Sequence, residues 1–288
     1  MTTKVQRVGL IPSRTRADAQ ALAVTAATWL GERGIEVKIP NSDVVIGALS
    51  DYAIADADFP QSVDVVVSLG GDGTLLHAVD LGFADQLPVL GVNFGRLGYL
   101  AEVEPENLDA ALTRLVVGDF AIEERMILEV KVVSDGPAGG TWWALNEAVL
   151  EKEAPGRLVH LEISINGKFF TTYAADGVII ATSTGSTAYS FSVGGPIVSP
   201  FHQCILVTPV SPHMLFGRSL VLDSAELVGC VVTDNRNVVL TTDGRQIGRL
   251  VPGDTVTCTG SSKSARLITL ESRDFHQILK AKFGLADR

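Results

Sequence analysis

The run Gly70-Gly71-Asp72-Gly73-Thr74 holds the densest chemistry in the sequence. It follows the β-branched run Val63 to Leu69 and precedes a helix-forming stretch, Thr74 to Leu81, so its setting is strand, glycine turn, helix. Glycines permit positive φ and let a ligand approach the backbone closely. The helix behind them offers unpaired N–H groups and the positive end of its dipole, which suits phosphate. A carboxylate in such a loop is unusual, because it repels phosphate. Asp72 makes chemical sense there if it holds a metal ion that bridges the phosphates, or takes a proton from an attacking hydroxyl. A tight turn in which Asp72 merely caps the helix fits the same residues, and the motif alone does not separate these readings.

Three further places could carry chemistry. Asn146-Glu147 sets two polar residues inside the apolar, strand-like run Trp142 to Leu150, where alternation sends them to opposite faces. On their own, a half-exposed strand is the simpler account of them. Asp176 to Pro200 is rich in Thr, Ser and Gly around one aromatic residue, Tyr189. Such a segment supplies many hydrogen bonds with little bulk, which fits a pocket for a planar base and its ribose. A Ser-rich surface loop is the alternative, but no Asp, Glu, Lys or Arg occurs from Gly177 to Gly217, which fits a buried lining better than a solvated loop. Gly95-Arg96-Leu97-Gly98-Tyr99 follows a short strand, and Tyr99 there either packs or stacks on a base. The five histidines form no HExxH or similar motif.

The elements that must position these residues fall into two groups. Up to about Phe120, strands alternate with helices: Val5 to Ile11, then the helix Ala17 to Arg33 closed by Gly34, then Ile35 to Ile39, Val63 to Leu69, Val89 to Val92 and the helix Glu106 to Val117. Buried strands in that alternation predict an α/β domain with a parallel, doubly wound sheet. From Phe120 to about Leu270 strand follows strand, with hairpin signals at Asn166-Gly167 and Asp243-Gly244. An all-β domain is expected there. The division is therefore an α/β domain over 1–122, rejoined by a C-terminal helix within 271–288, and a β domain over 123–270.

Composition narrows the class. The chain has 288 residues, of which 46% are apolar and 19% charged, a globular profile with room for a proper core in each part. Its net charge of −10 repels a nucleic-acid backbone, yet backbone N–H groups and a bound cation still hold phosphates inside an acidic protein. No stretch near the N-terminus reads as a signal peptide. The uncharged stretch after Gly177 is too rich in Ser, Thr, Gly and Pro to suit a membrane span. Three scattered cysteines argue against a disulfide framework or a zinc site and fit a reducing cytoplasm.

Together the motifs resemble the NAD kinase family: GGDGT (70–74), GRLGYL (95–100), NE (146–147), DG (176–177) with TGSTAYSFSVGGPI (184–197), and a late DG (243–244), in the family's order through most of the chain. GGDGT alone is shared with diacylglycerol-type lipid kinases and phosphofructokinases; the combination is far more specific. The resemblance implies NAD bound in a crevice between an α/β and a β domain, with phosphate transferred to the 2′-hydroxyl of its adenosine ribose to give NADP. On that basis Asp72 is the acid that activates the hydroxyl, in the phosphate loop of Gly70, Gly71, Gly73 and Thr74. Gly73 belongs with the NAD-binding residues too. Asn146 and Glu147 contact ribose hydroxyls, Thr187, Ala188 and Tyr99 lie by the adenine, and Asp176, Tyr189 and Ser192 lie toward the nicotinamide half. Asp243 belongs to a family element of less definite role. The resemblance also implies Mg²⁺ or another divalent cation with no ligand set named, ATP or polyphosphate as donor, and a homo-oligomer, dimer or tetramer. Two departures stand out: Ala181 and Ser183 replace a Ser and a Pro usual before TGSTAY, and Ala174-Ala175 precede Asp176 where relatives often carry a basic residue. A lipid kinase with the same loop and a noncatalytic NAD(P)-binding sensor are the rival readings.

Overall fold

The computed structural model describes residues 4–95, 98–271 and 274–285. The chain divides into two compact units, one formed by residues up to Glu124 together with those from Ala265 on, the other by Arg125–Ser264.

The first unit begins β1 (Arg7–Pro12), α1 (Ala17–Gly31), β2 (Glu36–Pro40), β3 (Ala53–Ile54), β4 (Val65–Gly70), α2 (Asp72–Gly82), β5 (Pro88–Asn93), α3 (Leu108–Val117). Its strands run parallel in the order β5-β4-β1-β2-β3, the α/β architecture that the alternation predicts. Every residue of β4 is buried, the pattern of a strand covered on both faces. Ala23, Ala27 and Leu30 of α1 and Leu112 and Leu115 of α3 share one apolar cluster with Val8, Leu10, Val67 and Leu90 of the strands. The chain leaves β1 for β2 on one side and returns to β4 on the other, so the strand order reverses between β1 and β4. In open parallel sheets, ligands bind beyond the carboxyl ends of the strands at such a reversal. The glycine turn lies at the carboxyl end of β4.

The chain continues as β6 (Ala121–Val133), β7 (Gly140–Ala144), β8 (Glu147–Lys152), β9 (Val159–Ile165), β10 (Lys168–Ala175), β11 (Gly177–Thr182), α4 (Tyr189–Ser192), β12 (Cys204–Val210), β13 (Leu220–Asp223), β14 (Val228–Val232), β15 (Val238–Thr242), β16 (Arg245–Leu250), β17 (Thr255–Thr269) and α5 (Phe275–Phe283). Within the second unit the pairing is antiparallel, β10-β9-β14-β17 in one sheet and β13-β12-β11-β8-β15-β16 in the other. Leu161, Ile163, Cys230 and Cys258 of the former share one core with Leu150, Ile180, Val207 and Leu240 of the latter. All three cysteines are buried and unbridged, and burial pushes the Cys230 thiol up to about 12. Both hairpin signals are realised: Asn166 and Gly167 join β9 to β10 with φ of 52° and 74°, and Asp243 and Gly244 join β15 to β16 with φ of 48° and 76°, the paired positive φ of a type I′ turn.

Three elements differ from the sequence reading. The helix after the glycine turn starts at Asp72 rather than Thr74, so the motif acid stands in its first turn. The run Trp142 to Leu150 is two strands, broken at Leu145-Asn146. β17 runs on to Thr269, past the run Thr255 to Thr259 that its apolar alternation predicts as a strand, and its Arg266 and Leu267 pair in parallel with Pro88 and Val89 of the first unit. No helix among the described residues is long and apolar enough to cross a membrane. The uncharged stretch after Gly177 forms β11, α4 and β12 instead.

Candidate active site

In the first unit the site is built around Asp72. Gly70 has no room for a side chain, since a Cβ would lie 2.2 Å from Thr74 Oγ1. At Gly71 and Gly73 no atom of the described residues would lie within 4 Å of an added Cβ, which leaves the loop backbone bare to a ligand on that side. Asp72 points its carboxylate at another turn, accepting from the backbone N–H of Tyr99 at 3.1 Å and of Leu100 at 3.3 Å. Gly98 is fitted to that carboxylate, because a Cβ there would stand 2.4 Å from Asp72 Oδ1. The side chain is therefore held by backbone donors in the Gly98–Leu100 turn, not spent on its own helix terminus as a cap would be. Burial and the charge of Asp72 together raise the Tyr99 phenol above its ordinary range. Arg96 and Leu97 of the GRLGYL motif lie outside the described residues.

Two features of this unit were not visible in sequence. Lys282, in the last turn of α5, sets its Nζ 3.8 Å from the centroid of the Tyr99 ring. At the end of β1, Arg14 donates to Oδ1 of Asp43 at 2.7 Å, and His77 of α2 meets the other carboxylate oxygen at 3.0 Å. Burial pushes the Asp43 carboxyl up, but hydrogen bonds from His77 and Arg14 outweigh it and hold the group below the usual carboxylate range. No spacing in the sequence joins these residues.

In the second unit the chain breaks between β7 and β8 at Leu145-Asn146, and the cause is Asp243. Its carboxylate accepts from the backbone N–H of Leu145 and Asn146 at 2.7 Å each and of Glu147 at 3.1 Å. A strand whose N–H groups are taken by a side chain cannot continue its ladder. Asp243, placed in sequence among the NAD-binding residues, is engaged in fixing this bend. Glu147 is 7% exposed, and its Oε2 has no hydrogen-bond partner among the described residues. Burial and the nearby charge of Asp243 push its carboxyl up to about 7, against a bond from the Tyr189 backbone that lowers it.

The Thr/Ser/Gly segment closes over the same bend. Thr182 donates its hydroxyl to Leu145 O and accepts from Gly185 N. Gly185 lies so close that a Cβ would meet Asn146 O at 2.1 Å, which only glycine tolerates. Thr184–Thr187 form a single 3-10 turn that delivers Ala188 and Tyr189. Tyr189, Val193 and Val198 pack on the apolar face made by Val149, Ile179, Ala181 and Leu206, which explains the missing charges. The Tyr189 hydroxyl donates to Glu151 at 3.0 Å; burial first, then Glu151, raise its phenol to about 12, with Asp176 and Glu147 adding to the effect. Asp176 forms an ion pair with Lys152. Asn146, Glu147 and Asp243 meet at the bend under the turn that carries Thr187 and Ala188. Asp176 lies at the other end of β11 beside Lys152, with Tyr189 between them, its phenol acted on by the charges of both Asp176 and Glu147, and Ser192 is exposed at the end of α4. Glu151 and Lys152, which pair with two of them, were missed: in the sequence they continue a strand and carry no motif.

Comparison with known proteins shows the family. Residues 8–120 match the ATP-NAD kinase N-terminal domain and residues 145–270 the ATP-NAD kinase C-terminal domain. The chain is 40% identical over 276 residues to the NAD kinase of Heliobacterium modesticaldum, covering 96% of this chain and 97% of that one. It is 44% identical over 235 residues to that of Symbiobacterium thermophilum, covering 81% and 83%. Among solved structures, yeast NADH kinase complexed with NADH superposes with a TM-score of 0.91 at 26% identity, covering 99% of this chain and 89% of that chain. An NAD kinase from Archaeoglobus fulgidus in complex with ATP shares the fold, with a TM-score of 0.73 at 24% identity over 96% and 97% of the two chains. The two domain matches and the near full-length relatives place this chain in the ATP-NAD kinase family.

Proposed function

We propose that this protein phosphorylates NAD on the 2′-hydroxyl of its adenosine ribose, producing NADP, with ATP as donor and polyphosphate as the alternative donor. The observation that carries the reading is Asp72. A carboxylate is held by two backbone N–H groups of another turn, inside a bare glycine loop, at the reversal point of a parallel sheet. In the transfer Asp72 accepts the hydroxyl proton, the N–H groups at the start of α2 hold the donor phosphates, and the ribose oxygen attacks the γ-phosphorus in line. Asn146 and Glu147 bind ribose hydroxyls. Thr187, Ala188 and Tyr99 flank the adenine, and Asp176, Tyr189 and Ser192 serve the nicotinamide half.

A divalent cation, Mg²⁺ first, fits this loop as a companion of the donor. Such ions take one or two carboxylates and keep the rest of their shell for phosphate oxygens and water. Asp72 is one such carboxylate, and no cluster of three or more His, Cys, Asp or Glu among the described residues forms a dedicated cage. When bound, the ion neutralises the donor phosphates. Reaction in the cytoplasm as a homo-oligomer, dimer or tetramer, completes the proposal.

A diacylglycerol-type kinase would share the glycine loop but has no use for the Asn146–Glu147 bend under the Thr182–Tyr189 segment. A noncatalytic sensor has no use for a carboxylate facing phosphate. Incubation with ATP and Mg²⁺ and either NAD or diacylglycerol separates the three. The expected product is NADP from NAD alone; phosphorylated lipid, or no product, would reject this function.

A further inference from the structure

The glycine loop poses an electrostatic problem. Asp72 is an anion where a polyanionic donor must sit, the chain carries a net charge of −10, and backbone N–H groups offer only partial charges. A phosphoryl group in transfer needs full positive charge close to its oxygens. The arginines of the β1–α1 connection are committed elsewhere, Arg14 to Asp43 and Arg16 to Asp18.

Lys282 is differently placed. Tyr99, whose N–H donates to Asp72 Oδ2 at 3.1 Å, presents its ring face to the Lys282 Nζ, 3.8 Å from the centroid. The ammonium is therefore moored on the same residue whose N–H holds the acid. A ring face attracts a cation without occupying its N–H donors, and among the described residues no carboxylate pairs with Lys282. Burial lowers its pKa and the negative charge of Asp72 opposes that, so the field of Asp72 reaches the ammonium. Asp274 caps α5 by accepting from His276 and Gln277 N–H, which fixes the helix that carries the lysine. A compact ammonium with three donors suits a phosphate that moves during reaction.

Resting on the NAD kinase reading, we propose that Lys282 is a further phosphate-binding residue, whose ammonium, moored on Tyr99, contacts the terminal phosphate of the donor beside Asp72. The helix after the β domain is then part of the phosphate site and more than a structural closure.

The test compares wild type, Lys282→Met, Lys282→Arg and the charge-matched control Lys168→Met at the exposed start of β10. Initial rates are taken with ATP varied at saturating NAD, alongside melting curves and calorimetric titrations with NAD and with ATP. Lys282→Met should lose about 10–100-fold in kcat/KM for ATP. Its NAD affinity should hold within about threefold and its melting curve should be unchanged, since the lost contact is to the donor. Lys282→Arg should recover most of the loss, and Lys168→Met should match wild type. A Lys282→Met rate within about twofold of wild type, or equal losses in Lys282→Met and Lys282→Arg that follow a lowered melting point, would overturn the proposal and leave a merely structural cation–ring contact. Should Lys282→Met fail to fold, Lys282→Gln takes its place under the same criteria. Failure of the function itself shows separately, as wild type that makes no NADP. The ATP titration then decides, a loss of about tenfold in Lys282→Met supporting the contact and equal affinities rejecting it.

Discussion

Two carboxyl groups of this chain sit where negative charge is unwelcome, and they are handled in opposite ways. Asp72 is kept ready by two backbone donors and open glycines around it. Glu147 is buried beside the charge of Asp243, which lifts it from the ordinary 4.5 to about 7. A folded-state pKa above the unfolded one means that the native protein binds more protons between those values, so stability falls as pH rises from 4.5 through about 7. Glu147→Gln keeps the shape and removes the titration. It should stabilise the fold by about 1–3 kcal/mol at pH 8 and by clearly less at pH 5.5, read from urea unfolding. An equal change at both pH values would show that Glu147 is not strained by its charge. Asp72, Asn146, Glu147 and Tyr189 were legible because each stands in a short motif of unusual composition. Lys282 and Glu151 were not, because a lysine on an amphipathic helix and a glutamate at a strand end look like any solvated residue until the fold brings Tyr99 and Tyr189 to them.

Among the elements, the Thr184–Thr187 turn and the bend at Leu145–Glu147 form one construction. Gly185 touches Asn146 O, Thr182 bonds Leu145 O, and Asp243 ties off the N–H groups of the bend. The turn leaves Ala188 partly exposed between its two structural neighbours, Thr187 and Tyr189. Ala188→Trp should therefore fill the base position, weakening NAD by at least about tenfold, or 1.4 kcal/mol, with an unchanged melting curve. Unaltered NAD affinity by calorimetry with the same melting curve would place the turn outside the nucleotide site. The hairpins were legible since Asn-Gly and Asp-Gly satisfy positive φ. The break in Trp142 to Leu150 was not, because its cause, the Asp243 carboxylate, is 97 positions from Asn146. The tail of β17 was missed as well: Gly260-Ser261-Ser262-Lys263-Ser264 lacks the apolar alternation that marks a strand, although the backbone stays extended through it.

At the scale of the molecule, the change from alternating helices and strands to strands alone near Phe120 was legible from hydrophobic patterning. The expectation of a homo-oligomer rests on the resemblance, since sequence gives no edge order. The described strands put Phe169 and Phe170 on β10, an end strand of its sheet, with side chains 64% and 39% exposed, and Leu215 stands fully exposed near Phe216, which meets Phe170 ring to ring at 5.8 Å. Uncovered apolar edges invite pairing with another copy. Light scattering at micromolar concentration should give a mass that is a multiple of 30.5 kDa, and Phe169→Asp with Leu215→Asp should shift it toward the single chain. A wild-type protein of one-chain mass would reject the homo-oligomer.

If this chain makes NADP with Asp72 as the base, Asp72→Asn must slow the transfer. The amide keeps the size but only one of the two acceptors, so its Oδ1 takes one of the Tyr99 and Leu100 N–H bonds that separate carboxylate oxygens accept, and it takes no proton and holds a cation poorly. A positioned base supplies roughly 10²–10⁴ in rate. NADP formation at saturating substrates should therefore fall at least about a hundredfold, with NAD affinity changed less than roughly tenfold, because the loss falls on the transition state. Turnover near the wild-type rate, with a stability loss of about 1 kcal/mol or less, is what a helix-capping role gives, and that result would contradict the mechanism.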